Sequence, residues 1–386
     1  MTKRWVLVLL AVVLSACSQS GGDDRGGAGG TATRSEAARS SVRSGAVTIV
    51  RETSSLDAPH VVRDEVYGVD GSGRPEKLAS AINTTFLGTL VPAVVPDREG
   101  RSVVYNSFHE ERPIVRIHDV ETDQDVMVDE GALSAAWRSD GTLAYFKGLS
   151  PEIRNPRRYL GHVVATESPA ASRVRWTNEP GRYVVAAWAR KRLLVYRLSR
   201  KGFPDLLVFD GPQHPRPLAE DAALVAVSPD GRKAFVGRYG TSPPVVRLLD
   251  LAEGKEIARF TFGNPDARGI GGGAVTFVAE SGSWTGDIVV APVNHGLAVF
   301  RVEARRLVLE QLLRFDPDLF PIGVFEPRVD DSGQTIVMWA ELQSRPRQAI
   351  PPAALLECDR IALECVQGPK ASSIPGPRIV YNPSRP

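Results

Sequence analysis

The amino-acid sequence predicts an all-β fold, a single β-propeller made of four-stranded blades. One observation is that short apolar strands alternate with turn motifs rich in Asp and Gly. Another is that these turns recur near residues 97, 140, 181, 230, 282 and 332, spaced about 40 to 52 residues apart, which is the length of one propeller blade. A two-sheet sandwich is the alternative fold, but its turns are normally closer together.

The clearest repeat covers residues 222–262. It begins with an apolar strand at 224–227 and continues through Ser228-Pro229-Asp230-Gly231. Pro229 presets its own φ angle, and Gly231 supplies the left-handed residue that a tight return requires. Three further strands are predicted at 233–238, 245–251 and 256–261, so this repeat contains the four strands of one blade.

The other repeats follow the same pattern less regularly. Strand and turn signals recur in five more segments, at residues 94–128, 135–146, 181–209, 274–291 and 329–340. In the segment 274–291 the turn is predicted at Ser281-Gly282. Residues 46–51, 60–69 and 76–78 form three strands of a seventh blade, which residues 378–381 complete. The sequence thus favours seven blades, with six or eight as the alternatives, and a ring closed by joining the two chain ends.

The best repeat also carries a family resemblance. Ser-Pro-Asp-Gly-Arg-Lys at 228–233, followed by Leu-Leu-Asp-Leu-Ala-Glu-Gly-Lys at 248–255, resembles the WD40-like repeats of TolB-like bacterial propellers. The resemblance implies a propeller fold and does not imply a particular activity.

The N-terminus predicts export. Lys3 and Arg4 precede an apolar run at 5–14, which is long enough for a signal peptide and too short to span a bilayer. Leu14-Ser15-Ala16-Cys17 resembles the lipobox of bacterial lipoproteins. That resemblance implies removal of residues 1–16, lipidation of Cys17 and an extracytoplasmic protein anchored to the cell membrane. An ordinary secreted protein is the alternative.

The residues after Cys17 are predicted to form a tether. Residues 17–44 are rich in Gly, Ser, Ala and Arg and have almost no large apolar side chain. Such a segment cannot bury enough apolar surface to offset the entropy of ordering it. The predicted organisation is a signal peptide at 1–16, a lipidated and disordered linker at 17–44, and the propeller domain at 45–386.

The charge balance limits the partners. The chain has 47 Lys and Arg against 45 Asp and Glu. Nucleic-acid binding requires a strongly basic surface, so no nucleic-acid partner is expected. The expected partners are the membrane, through the lipid anchor, and a cell-envelope protein.

Two cysteines remain after Cys17. Cys358 and Cys365 lie in apolar segments that read as two arms of one hairpin, and export to an oxidising compartment favours a disulfide between them. A redox pair would favour Cys-x-x-Cys spacing, and a metal site would need a His nearby.

Catalytic motifs are weak. The six histidines, His60, His109, His118, His162, His214 and His295, show no metal-binding spacing. His109-Glu110-Glu111 could face a mouth of the propeller. The glycine-rich segment 269–273 lacks the Lys-Ser/Thr of a phosphate loop, and Asp70-Gly71-Ser72-Gly73 lacks the acidic ladder of a calcium loop. Asp330-Asp331 reads as a hairpin turn. We therefore predict no catalytic residue, no metal site and no cofactor.

The tryptophans favour packing. Trp137, Trp176, Trp188, Trp284 and Trp339 are spread over different repeats and are expected to pack between blades.

Two functional classes remain open. The first is a protein-interaction or ligand-binding module of the cell envelope. The second is an enzyme of the lactonase or lyase type with a metal-assisted site in the central channel.

Overall fold

The computed structural model describes much of the chain between residues 48 and 380. The described residues are 48–55, 58–69, 75–84, 94–96, 102–109, 112–119, 122, 124–152, 159–199, 203–238, 244–262, 282–293, 296–314, 323–329, 335–341, 353–360, 365–367 and 377–380. Across these ranges the regular structure is entirely β-strand, and no helix in them is long and apolar enough to cross a bilayer. Cys17, the predicted signal peptide and the predicted linker lie outside these residues.

The strands are labelled in chain order. They are β1 Thr48–Ser55, β2 Ala58–Val69, β3 Pro75–Thr84, β4 Val94–Pro96, β5 Ser102–His109, β6 Arg112–Asp119, β7 Gln124–Glu130, β8 Ala132–Trp137, β9 Leu143–Gly148, β10 Gly161–Thr166, β11 Val174–Arg175, β12 Tyr183–Ala189, β13 Arg192–Arg197, β14 Asp205–Phe209, β15 Pro215–Ala219, β16 Ala222–Val227, β17 Lys233–Arg238, β18 Val245–Asp250, β19 Glu256–Thr261, β20 Ser283–Thr285, β21 Ile288–Val293, β22 Gly296–Val302, β23 Leu307–Arg314, β24 Gly323–Val329, β25 Thr335–Glu341, β26 Ala353–Asp359, β27 Cys365–Gln367 and β28 Pro377–Val380.

In the described part of the chain these strands form seven four-stranded antiparallel sheets, which are the blades. Blade 1 consists of β28, β1, β2 and β3. Blades 2 to 7 each take four consecutive strands, from β4–β7 in blade 2 to β24–β27 in blade 7. The all-β propeller prediction is confirmed, and the seven sheets agree with the favoured blade number.

The two ends of the chain meet in blade 1. In the antiparallel pairing of β28 with β1, Val380 lies opposite Thr48 and Pro377 lies opposite Arg51. The first strand of each blade contacts the first strand of the next, in the order β28, β4, β8, β12, β16, β20 and β24, and β24 returns to β28. This ring confirms the predicted closure by the C-terminal segment and protects the sheet edges from pairing with other chains.

The core lies between blades. Side chains alternate between the two faces of a strand, so each strand supplies both of its neighbouring interfaces. In β17, Ala234 and Val236 pack in an apolar cluster with residues of blade 4, whereas Phe235 packs in a cluster with residues of blade 6. The rings of Phe235 and Phe300 are 5.1 Å apart between their centroids. Each blade is therefore stabilised mainly by its neighbours.

The turn of the clearest repeat has the predicted form. The Gly231 amide donates to the Ser228 carbonyl over 2.8 Å, and Gly231 has a φ angle of +59°. The Ser228 hydroxyl oxygen also accepts the Lys233 amide over 2.8 Å, and Asp230 accepts the Arg232 amide over 3.0 Å. The Ser-Pro-Asp-Gly motif thus connects the first two strands of blade 5.

The turn predicted at Ser281-Gly282 is wrong. The first two strands of blade 6, β20 and β21, are joined by Gly286-Asp287, where Gly286 has a φ of +57°. The Gly282 amide instead donates to the Val225 carbonyl of blade 5 over 2.9 Å. The signal near residue 181 has a similar explanation, because Gly181 precedes β12 and forms a bridge to Gly161 of blade 3. Both glycines permit a close approach between blades.

Candidate functional site

A cleft of about 380 Å³ opens between blades 2 and 3. It lies on the face of the propeller where the chain passes from the first to the second strand of each blade and from the third to the fourth. We call this face the turn face. Blade 2 supplies the ends of β5, β6 and β7 to its wall, and blade 3 supplies the ends of β8, β9 and β10. The cleft is therefore formed by strand ends from two separate sheets.

The interior of the cleft is apolar and contains one aromatic ring. Trp137, the last residue of β8, is half-buried and lies in the wall beside Leu143 of β9. Ile117 and Val126 form the apolar wall on blade 2, and Val126 remains 42% exposed. An indole in an accessible cleft offers a flat surface on which a ligand group can stack.

The rim of the cleft carries two carboxylates, one from each blade. Asp119 ends β6, and its Oδ1 accepts the Thr122 amide over 2.8 Å, which orients the carboxylate. Glu167 follows β10 on the other wall, where it is exposed and makes no hydrogen bond or ion pair with any described residue. Thr166 donates its hydroxyl to the Ser168 carbonyl over 2.6 Å and so holds the Glu167 turn in place.

Blades 2 and 3 are also joined by a polar network whose residues do not line the cleft. Asp129 of β7 accepts the Lys147 ammonium over 2.6 Å and the Tyr145 hydroxyl over 2.9 Å, both from β9. Arg173 donates to the Val128 carbonyl over 2.6 Å, also across the two blades. Burial, reinforced by the Asp129 carboxylate, raises the pKa of Tyr145 far above its ordinary value, so its hydroxyl remains a donor. This network connects blades 2 and 3 through side-chain hydrogen bonds.

The histidines in the described part of the chain do not converge on one site. His118 is buried in β6, and His162 in β10 has Nδ1 3.2 Å from both the carbonyl and the hydroxyl oxygen of Thr177. Burial and the nearby Arg175 charge lower the pKa of His162, while the hydrogen bond to Thr177 opposes them. His60 and His109 lie in β2 and β5, and His214 precedes β15. In the ranges that the structure covers, no three His, Cys, Asp or Glu residues are grouped to hold a metal ion.

Several other sequence features lie outside the described residues. They are His295, Glu110-Glu111, the glycine-rich segment 269–273, the turn Asp70-Gly71-Ser72-Gly73 and the pair Asp330-Asp331. The interpretation of the protein as a metal-assisted enzyme with a channel site remains a sequence-based prediction.

The packing role expected of the tryptophans is confirmed for Trp176 and Trp188. Their rings meet edge to face with centroids 5.2 Å apart, inside an apolar cluster shared by blades 3 and 4. The Trp188 Nε1 donates to the Ala136 carbonyl over 3.1 Å, and the Arg138 guanidinium lies 4.9 Å from its ring centroid. Trp284 packs partly against the cluster between blades 5 and 6. Trp137 differs, because it also lines the cleft.

Cys358 and Cys365 lie directly opposite each other in β26 and β27 of blade 7. The predicted hairpin is therefore present, and Cys358 is fully buried within it. Direct cross-strand positions place Cβ atoms at a separation that a disulfide can span.

Sequence reasoning missed the cleft. Asp119 and Glu167 follow the third strands of two successive blades, and neither belongs to a catalytic or binding motif. A usable signal was the position of Trp137, which stands immediately before the Arg-Ser-Asp-Gly turn and is thereby placed at the turn face.

Comparisons with known proteins show the fold alone. A prolyl endopeptidase structure is 12% identical with a TM-score of 0.52, covering 90% of this chain and 52% of that chain. The acylaminoacyl peptidase of Pyrococcus horikoshii is 12% identical with a TM-score of 0.50, covering 83% of this chain and 50% of that chain. This chain thus spans about half the length of these two peptidases.

A looser likeness is to TolB from Acinetobacter baumannii, at 16% identity and a TM-score of 0.42, covering 69% of this chain and 64% of that chain. No protein-family model matches the chain, and no curated protein is similar to it.

Proposed function

We propose that this protein is a lipid-anchored, extracytoplasmic β-propeller of the bacterial cell envelope that binds a partner protein through the cleft between blades 2 and 3. The cleft carries the binding part of the proposal, because it combines an aromatic wall with two carboxylates from two blades. The lipobox-like sequence at residues 14–17 supports the anchoring part.

The chemistry of the cleft favours a cationic side chain of the partner. An ammonium or guanidinium group can contact the Trp137 ring while Glu167 and Asp119 supply negative charge from opposite walls. Asp119 and Glu167 are the charged residues among those that line the cleft. Val126 and Ile117 can contact the methylene stem of a Lys or Arg side chain. We therefore assign the cleft to a peptide segment that carries Lys or Arg.

Titration of the full chain with a fluorescent pentalysine peptide tests the binding proposal. Glu167→Gln removes one charge from the rim without changing its size, and we expect the peptide to bind several-fold more weakly, by about 1 kcal/mol. Trp137→Phe should weaken it as well, because Phe is the poorer cation–π partner.

Glu253→Gln is the matched control. Glu253 lies in a turn of blade 5 on the same face and is likewise exposed, with its carboxylate 3.1 Å from Lys255. Equal weakening by the Glu167 and Glu253 variants would show non-specific charge attraction and would refute the cleft as the site.

Intact mass of the protein extracted from membranes tests the anchor. The expected species begins at Cys17 and carries acyl chains, and a Cys17→Ala variant should release the protein from the membrane fraction. An unmodified N-terminus in the wild-type protein would contradict the lipoprotein proposal.

We also propose a disulfide between Cys358 and Cys365. Their opposite positions in β26 and β27 support it, as does the complete burial of Cys358. An exported chain meets the oxidising conditions in which such a bond persists.

A further inference from the structure

Arg247 holds a guanidinium group whose donors are unused. It is the third residue of β18 in blade 5, where it lies opposite Val236 of β17 and opposite Arg259 of β19. Its Nε and Nη2 atoms are sealed from solvent, and neither has a hydrogen-bond partner among the residues that the structure describes. Buried donors are nearly always paired in folded proteins, so this group requires an explanation.

The charges around Arg247 do not neutralise it. The nearest acidic influence is Glu256, but both carboxylate oxygens of Glu256 accept hydrogen bonds from Arg259, over 2.9 and 3.0 Å. Arg238, at the end of β17, adds a third positive charge. Burial lowers the pKa of Arg247, Glu256 opposes that shift, and Arg238 and Arg259 add to it. The carboxylate nearest to Arg247 is therefore already engaged by Arg259.

The location of the group is defined by the register. β17 ends at Arg238, β18 begins two residues before Arg247, and β19 ends two residues after Arg259. All three side chains therefore lie towards the face opposite the turn face, away from the cleft between blades 2 and 3. Arg238 and Arg259 are exposed there, whereas Arg247 is half-buried.

The unpaired atoms have the geometry of a bidentate site. The Nε–H and Nη2–H bonds leave the same edge of a guanidinium in parallel and match two oxygens of one oxyanion. Neither Nε nor Nη2 has a hydrogen bond to a described residue that a movement of the side chain would break, so this edge can turn towards an anion arriving from solvent. Because neither atom has a partner among the described residues, the Arg247 charge favours a phosphate group, which carries between one and two negative charges near neutral pH, over a singly charged carboxylate.

We propose that Arg247, flanked by Arg238 and Arg259, is a binding site for the phosphate group of a ligand. The site goes beyond the proposed cleft function and does not depend on it, because it lies in another blade and on the other face. Two sources present this chemistry, a soluble phosphorylated molecule and the headgroup of an anionic phospholipid.

Thermal unfolding of the full chain in the presence of inorganic phosphate tests the site. At constant ionic strength set with chloride, phosphate should raise the unfolding midpoint in a saturable way, because a ligand that binds the native state stabilises it. Arg247→Gln should weaken phosphate at least tenfold. Arg247→Lys keeps the charge but loses the two parallel N–H donors, so it should recover only a small part of the affinity for phosphate. This variant also tests the site if Arg247→Gln does not fold.

Arg232→Gln is the matched control in the same blade. Arg232 is 70% exposed and lies 4.0 Å from Asp230 on the turn face, so its loss should leave phosphate binding unchanged.

Co-sedimentation of a Cys17→Ser chain with phosphatidylglycerol vesicles, compared with phosphatidylcholine vesicles, distinguishes the two sources of the phosphate group. If the chain sediments with phosphatidylglycerol vesicles and Arg247→Gln abolishes this, the ligand is a lipid headgroup. If the chain binds phosphate but does not sediment with these vesicles, the ligand is a soluble phosphorylated molecule.

The proposal is overturned if neither probe binds. It is equally overturned if Arg247→Gln and Arg232→Gln reduce phosphate binding to the same extent, since the effect would then reflect overall charge.

Discussion

Ile49 lies directly opposite Ile379 in blade 1, so the first described strand of the chain pairs with the last. This pairing supplies the fourth strand of the blade and brings β28 into contact with β24 and β4 on its two sides. The ring is therefore closed by backbone hydrogen bonds between distant parts of the sequence, which makes the closure sensitive to the C-terminus.

Deletion of residues 377–386 should destabilise the whole propeller. It removes the pairing of four residues of β28 with β1, and we expect a loss of roughly 3–5 kcal/mol in the free energy of unfolding. Urea unfolding followed by tryptophan fluorescence measures it. Deletion of residues 382–386, which follow the strand, is the control and should leave stability unchanged. Equal stability of both truncated chains would contradict the closure.

Gly231→Ala should cost more than Gly286→Ala. Both glycines have a positive φ, +59° and +57°, so each variant bears a backbone cost of about 1–2 kcal/mol. A Cβ on Gly231 would also lie 2.7 Å from the Arg190 Cγ and 3.0 Å from the Arg190 amide nitrogen of blade 4, whereas a Cβ on Gly286 meets nothing within 4 Å. Urea unfolding of the two variants isolates the inter-blade contact, and equal losses would show that the contact is unimportant.

Trp188→Phe should destabilise the protein by about 1–2 kcal/mol, because it removes the hydrogen bond to Ala136 of the neighbouring blade and part of the stacking with Trp176. Trp284→Phe is the matched substitution. The Trp284 indole donates to the Gly286 carbonyl inside its own hairpin and at an exposed position, so its loss should cost less. Thermal unfolding of both variants decides the order, and a larger effect of the Trp284 variant would contradict the bridging role of Trp188.

The fold was predictable because its signals are local. Ser228-Pro229-Asp230-Gly231 encodes a turn within four residues, and residues 245–251 and 256–261 encode strands by their apolar pattern alone. Two glycines were mistaken for turn residues. Gly282 and Gly181 look like turn residues in the sequence, but in the structure they permit contacts between blades. The cleft could not be predicted, because Asp119 and Glu167 converge only when two sheets pack. The same holds for Arg247, whose lack of a partner is a property of packing.

A disulfide between Cys358 and Cys365 is expected to be present in the purified protein. Mass spectrometry of a Cys17→Ser chain without reductant should show a mass lower by two hydrogens than that of the reduced chain. Cys358→Ala combined with Cys365→Ala should lower stability by about 2 kcal/mol, at the low end for disulfides because the closed loop is short. The same loss on reduction of the wild-type chain is the internal control. Two free thiols in the exported protein would contradict the bond.

Asp210 should make the stability of the propeller depend on acidic pH. Its carboxylate accepts Arg192 over 2.6 Å and Arg216 over 2.9 Å, and Arg216 also donates to the Leu251 carbonyl of blade 5. Partial burial raises the pKa of Asp210, but the hydrogen bonds from Arg216 and Arg192 outweigh it and hold the pKa below its ordinary value of 3.8. A carboxyl whose pKa is lower in the folded state stabilises that state above 3.8 and ceases to do so as the pH falls through the folded value.

Asp210→Asn should therefore be less stable than wild type by about 1 kcal/mol near neutral pH, a modest value because the carboxylate is partly exposed. The difference should shrink as the pH is lowered below about 4 and should be nearly gone at the most acidic pH at which both proteins fold. Urea unfolding at a series of pH values measures it, with Glu253→Gln as the control for an ion pair that is mostly exposed on both sides. A difference that stays constant with pH would contradict this role, because at the most acidic pH the wild-type side chain is itself a neutral acid and its charge can no longer cause the difference.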